Sequence, residues 1–160
     1  MLLVAVRLKH LFRGEDEKDS GGAQLYQSHG VASKKYIELA SAQAAQGVML
    51  PAGKLAVFDL LKKTDPQAKL LKEYNDSYKK AYGVEASTFG GYAYDGFHLI
   101  AATVKKGAVT PAQIRDGIEK GGSMVGVSGI FKMSPKDHNG LDLSAFEMVR
   151  IDKGDWVIVH

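Results

Sequence analysis

Glycines and helix-capping residues divide this chain into segments of alternating character, and that alternation limits the folds open to it. The clearest segment is 66–82, where Pro66 fits the first turn of a helix, Asp65 stands as its N-cap and Gly83 ends it. One helical face of this segment carries apolar and aromatic side chains: Leu70, Leu71, Tyr74, Tyr78 and Tyr82. Helix-like and strand-like segments alternate in the early part of the chain and a small β meander ends it, which predicts an α/β fold with a mixed sheet.

Three further helices are predicted from their caps and periodicity. Ser33 caps a helix that runs to about Ser41, with Tyr36, Ile37 and Ala40 facing inward. A helix over 90–106 follows two glycines and is apolar on most sides, so we expect it to be mostly buried. The sequence at 110–113 is a capping-box pattern that opens a helix ending near Lys120.

The strand predictions rest on residue alternation and on turn residues. We expect a short strand at 24–28 and two extended pieces within 47–58, separated by a bend at Pro51. Period-two alternation predicts strands through 125–131 and 146–151, and a turn at 152–155 leads to a last strand at 156–159. At the start of the chain, the pattern suits a short amphipathic helix over 2–13 and then a polar loop over 14–22.

Composition excludes several functional classes. The 160 residues contain no cysteine, which rules out disulfides, thiol nucleophiles and cysteine-ligated zinc. The formal net charge is only +3 and the basic residues are dispersed, so no nucleic-acid partner is expected. Arg7 and Lys9 interrupt the first apolar run, so the pattern does not predict a signal peptide here, and no stretch approaches the roughly 20 apolar residues of a membrane span.

Motifs for catalysis, metals and phosphate are weak. The glycines and serines of 123–129 lack the G-x-S-x-G spacing of a nucleophile elbow and read as a strand. The run 137–139 joins an aspartate to a histidine, but a turn in which Asp137 or Asn139 bonds its own backbone explains it without a metal. The glycines at 90–91 carry no phosphate-binding motif. The sequence therefore predicts no catalytic residue, no metal ligand and no cofactor.

Three stretches together identify a familiar pattern, namely 26–32 (Tyr-Gln-Ser-His-Gly-Val-Ala), 87–95 (Ser-Thr-Phe-Gly-Gly-Tyr-Ala-Tyr-Asp) and 129–141, joined by 45–53. Their order and spacing resemble the C-terminal part of type I periplasmic solute-binding proteins of the branched-chain amino acid ABC transporter family. The resemblance covers about residues 24–160, whereas residues 1–23 form an atypical N-terminal segment.

The resemblance implies a fold of two α/β lobes that close on a solute between them. Each lobe has a mixed, mostly parallel sheet flanked by helices, and this chain is expected to be truncated relative to the two-lobe fold. Residues 24–82 and 125–160 map onto the second lobe, and 83–124 supplies helices of the first lobe.

The resemblance also implies a ligand site. Ser28, His29 and Phe89 map onto its contacts, although Phe89, just before two glycines, also suits a core position. Amino-acid-binding members carry an acid at the position of His29, where it pairs with the ligand ammonium. A histidine there cannot act as a fixed anion, which favours a small organic acid, aromatic or aliphatic, over an amino acid.

The expected function is solute binding for an ABC uptake system, without catalysis, in the periplasm and with permease subunits as partners. Two alternatives stay open: a sensory ligand-binding module of the same fold, and a fragment that does not bind by itself. An exposed lobe interface would also favour a homodimer.

Overall fold

The computed structural model describes residues 24–159, which combine helices and strands in an α/β fold as predicted. The α-helices are α1 (Lys34–Ala40), α2 (Ala42–Ala45), α3 (Ala68–Tyr82), α4 (Thr88–Val104) and α5 (Pro111–Glu119). The strands are β1 (Met49–Gly53), β2 (Ser123–Val125), β3 (Ile130–Lys132), β4 (Phe146–Asp152) and β5 (Asp155–Ile158). Short 3-10 helices span His29–Val31, Lys54–Leu60 and Leu143–Ala145. The helix predicted over 2–13 and the loop over 14–22 lie outside the described residues.

The chain forms two compact units. Among the described residues, the terminal unit comprises 24–52 and 147–159, and the central unit comprises 53–146. This division differs from the lobe boundaries expected from the sequence, because 53–82 and 125–146 lie in the same unit as 83–124. The assignment of either unit to a lobe of the family fold stays a prediction.

The terminal unit is built on a three-stranded sheet with the order β1-β4-β5. Strands β4 and β5 pair antiparallel from Val149 opposite Ile158 to Asp152 opposite Asp155. The two residues between them have positive φ, 51° at Lys153 and 83° at Gly154, as a two-residue hairpin requires. The predicted turn and last strand are therefore confirmed, whereas the strand expected at 24–28 is reduced to one parallel bridge between Tyr26 and Met49.

Helix α1 supplies the helical half of the terminal unit's core. The Ser33 side chain accepts a hydrogen bond from the Tyr36 N–H, which confirms the predicted cap. Tyr36, Ile37 and Ala40 are buried, as their spacing predicts. The strands contribute Leu50, Ala52, Val149, Ile151 and Trp156, and the remaining buried apolar side chains described in this unit are Val31, Ala32, Ala45 and Val48.

The central unit opens with a 3-10 helix, Lys54–Leu60, where the sequence predicted an extended piece. That prediction is wrong because contacts distant in sequence decide the local structure. Leu55 packs into a cluster with Leu71 and Val127. The Lys54 ammonium lies 2.6 Å from the Asp65 carboxylate, and both side chains are largely buried. The 3-10 helix lets Lys54 reach Asp65 while the adjacent Leu55 packs against Leu71 and Val127.

Helix α3 begins at Ala68, and its N-cap is Gln67 rather than the predicted Asp65. The Asp65 carboxylate is already engaged by Lys54 and also accepts from the Gln67 N–H at 2.8 Å, so it organises the turn before the helix. The helix ends at Gly83, which has the left-handed φ of 75° that a C-terminal glycine commonly adopts. The predicted end is therefore confirmed.

Helix α4 begins at Thr88, two residues before the predicted start. The Ser87 side chain caps it by accepting from the Gly90 N–H, which places both glycines inside the first turns. The expectation that this helix is mostly buried is wrong, because its large apolar residues on one face are exposed. The described chain covers only the opposite face, which carries Gly91 and Asp95.

The remainder of the central unit consists of α5 and a β-hairpin. The predicted capping box is confirmed, since Thr110 accepts from the Gln113 N–H and the Gln113 side chain accepts from the Thr110 N–H. Strands β2 and β3 pair antiparallel, so Val127 lies in the connecting loop and not in a strand as predicted. Within residues 24–159, no helix is long and apolar enough to span a membrane.

Candidate functional site

Two of the residues predicted to contact a ligand, Ser28 and His29, lie side by side in the terminal unit. They follow an extended segment held to β1, in which the Gln27 N–H donates to the Met49 carbonyl at 2.8 Å. Ser28 is the N-cap of the 3-10 helix that starts at His29, and both residues are exposed. They therefore stand just beyond the carboxyl end of a strand-like segment, where α/β proteins commonly bind ligands.

The third predicted contact, Phe89, lies in the central unit as the second residue of α4. Its ring is 58 % exposed and makes an edge contact with Tyr92, with ring centroids 6.2 Å apart. In the described structure Phe89 is therefore not a core residue. Its exposed ring leaves a face for stacking.

A buried carboxylate positions the loop beside the first turns of α4. Asp95 is 2 % exposed and accepts hydrogen bonds from the N–H groups of Val127 at 2.8 Å and Ser128 at 2.6 Å. A Cβ added at Gly91 would come within 2.8 Å of a Val127 methyl carbon, so only glycine lets the loop approach this closely. Charged acceptors make stronger hydrogen bonds than neutral ones, so the two hydrogen bonds that Asp95 accepts hold the loop against α4.

The loop and α4 form a small depression lined by Gly53, Leu55, Thr88, Tyr92, Val127 and Ser128. The Ser128 hydroxyl is buried and has no hydrogen-bond partner within residues 24–159. Buried hydroxyls usually have a partner, so this one is available to a bound polar group. Sequence reasoning missed Ser128, and the only signal was Asp95 at the end of the 87–95 motif, because their contact spans 33 residues.

The described residues contain no cluster of three or more His, Asp or Glu side chains able to hold a metal ion. Asp137 accepts from the N–H groups of Asn139 at 2.9 Å and Gly140 at 3.2 Å, which is the turn predicted for this run. The neighbouring His138 lies 2.9 Å from Glu119, on the surface of the central unit. His98 packs its ring on Tyr94, with centroids 4.2 Å apart.

No protein-family model matches the sequence, and no curated protein sequence matches it significantly. Solved structures do match. An extracellular ligand-binding receptor from Rhodopseudomonas palustris HaA2 is 26% identical with a TM-score of 0.76, over 89% of this chain and 42% of its own. Another such receptor from Rhodopseudomonas palustris is 23% identical with a TM-score of 0.80, over 99% of this chain and 45% of its own. The substrate-binding protein of a branched-chain amino acid transporter from Streptococcus pneumoniae, solved with isoleucine, is 21% identical with a TM-score of 0.66, over 94% and 46%.

These likenesses define the class of fold. The chain resembles, over nearly its whole length, the type I periplasmic binding proteins that serve as extracellular ligand-binding receptors, as the motifs predicted. It spans less than half the length of these structures. The α/β fold, truncated relative to two complete lobes, is therefore confirmed.

Proposed function

We propose that this chain supplies ligand contacts of a solute-binding receptor that serves an ABC uptake system. The observation that carries the proposal is the match in fold to ligand-binding receptors over 98–99% of the chain in several structures. Among the similar structures, one is named as a complex with isoleucine and another as a complex with leucine. The protein would bind a small solute and perform no chemistry on it.

Ser28, His29 and Phe89 are the proposed contacts. Ser28 offers a hydroxyl donor, His29 an imidazole and Phe89 an exposed aromatic face, which together suit a ligand with one polar end and one apolar end. The buried Ser128 hydroxyl adds a further polar group beside Thr88 and Tyr92 in the central unit. Ser28 and His29 belong to the terminal unit, whereas Phe89 and Ser128 belong to the central unit.

The chemistry of His29 favours a carboxylic acid without an ammonium group. A protonated imidazole pairs with a carboxylate and repels an ammonium, and a neutral one can donate to a carboxylate but cannot supply the negative charge that neutralises an ammonium. The aromatic ring of Phe89 favours an apolar or aromatic body on that acid. The ligand class is therefore a small organic acid, with an amino acid as the competing class.

Receptors of this fold act outside the cytoplasmic membrane, so we place the protein in the periplasm with permease subunits as its macromolecular partners. Closure around the solute would present the permease with a changed surface.

Thermal unfolding of the 160-residue chain against amino acids, aliphatic acids and aromatic acids tests the proposal. A ligand that binds only the folded state raises the midpoint as its concentration rises. We expect an increase with an acid that lacks an ammonium group, and a smaller one or none with leucine or isoleucine. No increase with any compound, from a chain that unfolds cooperatively, would indicate a fragment without binding of its own.

Substitutions locate the site. His29→Ala and Phe89→Ala should each weaken binding of the best acid by about tenfold, since each removes an interaction worth about 1.4 kcal/mol. The matched controls are Gln43→Ala, exposed on α2 in the terminal unit, and Leu143→Ala, an exposed apolar residue of the central unit. Unchanged affinity in both site variants would reject the assignment.

A further inference from the structure

Asn139 and Gly140 form an asparagine–glycine pair within the turn of the central unit. The chain has only two asparagines, and Asn139 is the one that a glycine follows. In such a pair the glycine nitrogen can attack the side-chain amide of the asparagine, because glycine has no side chain to shield its nitrogen. This turn therefore carries the groups for a reaction within the chain.

The reaction needs only water besides the two residues. The Gly140 nitrogen forms a bond to the side-chain carbonyl carbon of Asn139, and the amide nitrogen leaves as ammonia with the proton that Gly140 gives up. The product is a cyclic succinimide. Water then opens the ring at either of its carbonyls, which leaves an aspartate or an isoaspartate. In isoaspartate the main chain runs through the former side chain.

The Asn139 amide is available for this attack. The residue is exposed, and within residues 24–159 its side chain makes no hydrogen bond. Asn75, in contrast, is buried in α3, and its side-chain oxygen accepts from the Ala86 N–H at 3.0 Å. Only Asn139 therefore combines a following glycine with an uncommitted amide.

The folded turn holds back the attacking nitrogen. The Gly140 N–H donates to the Asp137 carboxylate at 3.2 Å, and the Asn139 N–H donates to the same oxygen at 2.9 Å. The nitrogen becomes a nucleophile only when it loses its proton, and a charged acceptor favours the protonated form. Asp137 therefore slows the first step.

The backbone of Gly140 is fixed as well. Its carbonyl accepts from the Lys132 N–H at 2.7 Å, and its φ of 67° lies in the left-handed region. A Cβ added there would come within 2.7 Å of Met133 Cγ, so the fold requires glycine at this position. Residues 132–140 supply all these contacts, so the restraint on Gly140 does not depend on the rest of a receptor.

We propose that Asn139 is a deamidation site that the folded turn protects and that opening of the turn exposes. A modification that proceeds only from an open state has a rate proportional to the fraction of molecules that are open. The modified residue therefore records how often this part of the central unit has opened. The reaction belongs to the chain itself, so it holds whether or not the chain binds a solute.

Isoaspartate at position 139 should hinder the turn from closing again. It adds a carbon to the main chain between two N–H groups that share one oxygen of Asp137, and it places a new carboxylate next to that of Asp137. A displaced Gly140 also withdraws the acceptor of the Lys132 N–H at the end of β3. The modification should therefore favour the open turn and outlast the event that caused it.

Peptide mass spectrometry measures the reaction in the 160-residue chain. The chain is incubated at mildly alkaline pH in buffer and in guanidinium chloride and then digested with trypsin, which releases Asn139 in peptide 137–150 and Asn75 in peptide 73–79. Deamidation of Asn139 should be on the order of tenfold faster in the unfolded chain, and Asn75 should react far more slowly in both solutions. A synthetic peptide of residues 137–150 gives the unprotected rate in each solution. Equal rates for Asn139 in the folded and unfolded chain, or no reaction in the unfolded chain, would overturn the proposal.

Asp137→Ala tests the restraint on Gly140. It should raise the rate in buffer by about threefold or more, toward that of the matching synthetic peptide, and leave the rate in guanidinium chloride unchanged. The matched control is Asp59→Ala, an exposed carboxylate of the central unit outside residues 132–140, which should change neither rate. Circular dichroism confirms that both variants are folded. An unchanged rate for folded Asp137→Ala would overturn the protective role of the turn.

Discussion

At the scale of single residues, the buried polar groups are where the structure adds most to the sequence. Asp95 stands in a motif that carries the resemblance to solute-binding proteins, but its role depends on N–H groups 32 and 33 residues further along the chain. No local pattern encodes such a contact. The same holds for Ser128, whereas Ser28, His29 and Phe89 could be selected because they lie inside continuous motifs.

Tyr36 gives a prediction about both stability and pH. Its side chain is fully buried, and its hydroxyl has no hydrogen-bond partner in the described part of the chain. Removing such a group relieves a desolvation cost, so Tyr36→Phe should stabilise the fold by about 1 kcal/mol at neutral pH. Urea unfolding measures this, with the exposed Tyr26→Phe as the control that should change nothing. A loss of stability in Tyr36→Phe would contradict the unpaired hydroxyl.

The pH dependence follows from the same residue. Burial raises the pKa of the Tyr36 phenol above its ordinary value. The folded chain therefore keeps this proton where the unfolded chain, with a pKa of about 10, begins to release it. The stability is fully present below pH 10 and falls as the pH rises toward the folded pKa. Tyr36→Phe should lose less stability above pH 10 than the natural chain. Part of the pH-dependent loss of stability should remain in this variant, because burial also raises the pKa of Tyr74.

At the scale of elements, predictions succeeded where the cause is local. The caps at Ser33 and Thr110 and the stop at Gly83 each depend on residues within one turn, and all are confirmed. The segment 54–60 was predicted as extended because Leu55 and Val57 alternate, but its partners Asp65, Leu71 and Val127 are distant in sequence. The burial of α4 failed for a related reason, since apolar content alone does not say which elements are present to cover it.

Two glycines of α4 should respond in opposite ways to alanine. At Gly91 the new methyl group would lie 2.8 Å from Val127, so Gly91→Ala should destabilise the chain by about 1–3 kcal/mol. At Gly96 it meets only open space, so Gly96→Ala should stabilise the helix by up to about 1 kcal/mol. Urea unfolding of the two variants and of the natural chain measures both effects. Equal effects of the two substitutions would show that the Val127 side chain can move away from the new methyl group with no loss of stability.

At the scale of the whole molecule, the two units differ in size and in the probes they contain. The only tryptophan, Trp156, is buried in the terminal unit. Most helical residues belong to α3, α4 and α5 of the central unit, with 15, 17 and 9 residues against 7 and 4 in α1 and α2. Fluorescence and far-ultraviolet circular dichroism therefore report on different units.

Among the described residues the terminal unit holds 12 of the 18 buried apolar side chains and the central unit only 6, so we expect the central unit to unfold first. In urea, the midpoint seen by Trp156 fluorescence should be higher than the midpoint seen by circular dichroism. The control is Trp156→Phe, which should abolish the fluorescence transition. The circular dichroism midpoint should change little, because the substitution lies in the other unit. Coincident midpoints in the natural chain would mean that the whole chain unfolds as one cooperative body.

The ion pair between Lys54 and Asp65 has a consequence for which fold the sequence selects. Both side chains are mostly buried, so each charge is tolerable only beside the other. If α3 were to slide by one turn along the core, its apolar face would still find apolar neighbours, but Lys54 and Asp65 would be separated in a poorly hydrated interior. We therefore expect the ion pair to destabilise packings in which α3 is shifted along the core and so to fix the position of α3 in the central unit. This holds even if two apolar residues in its place were to give the same free energy of unfolding.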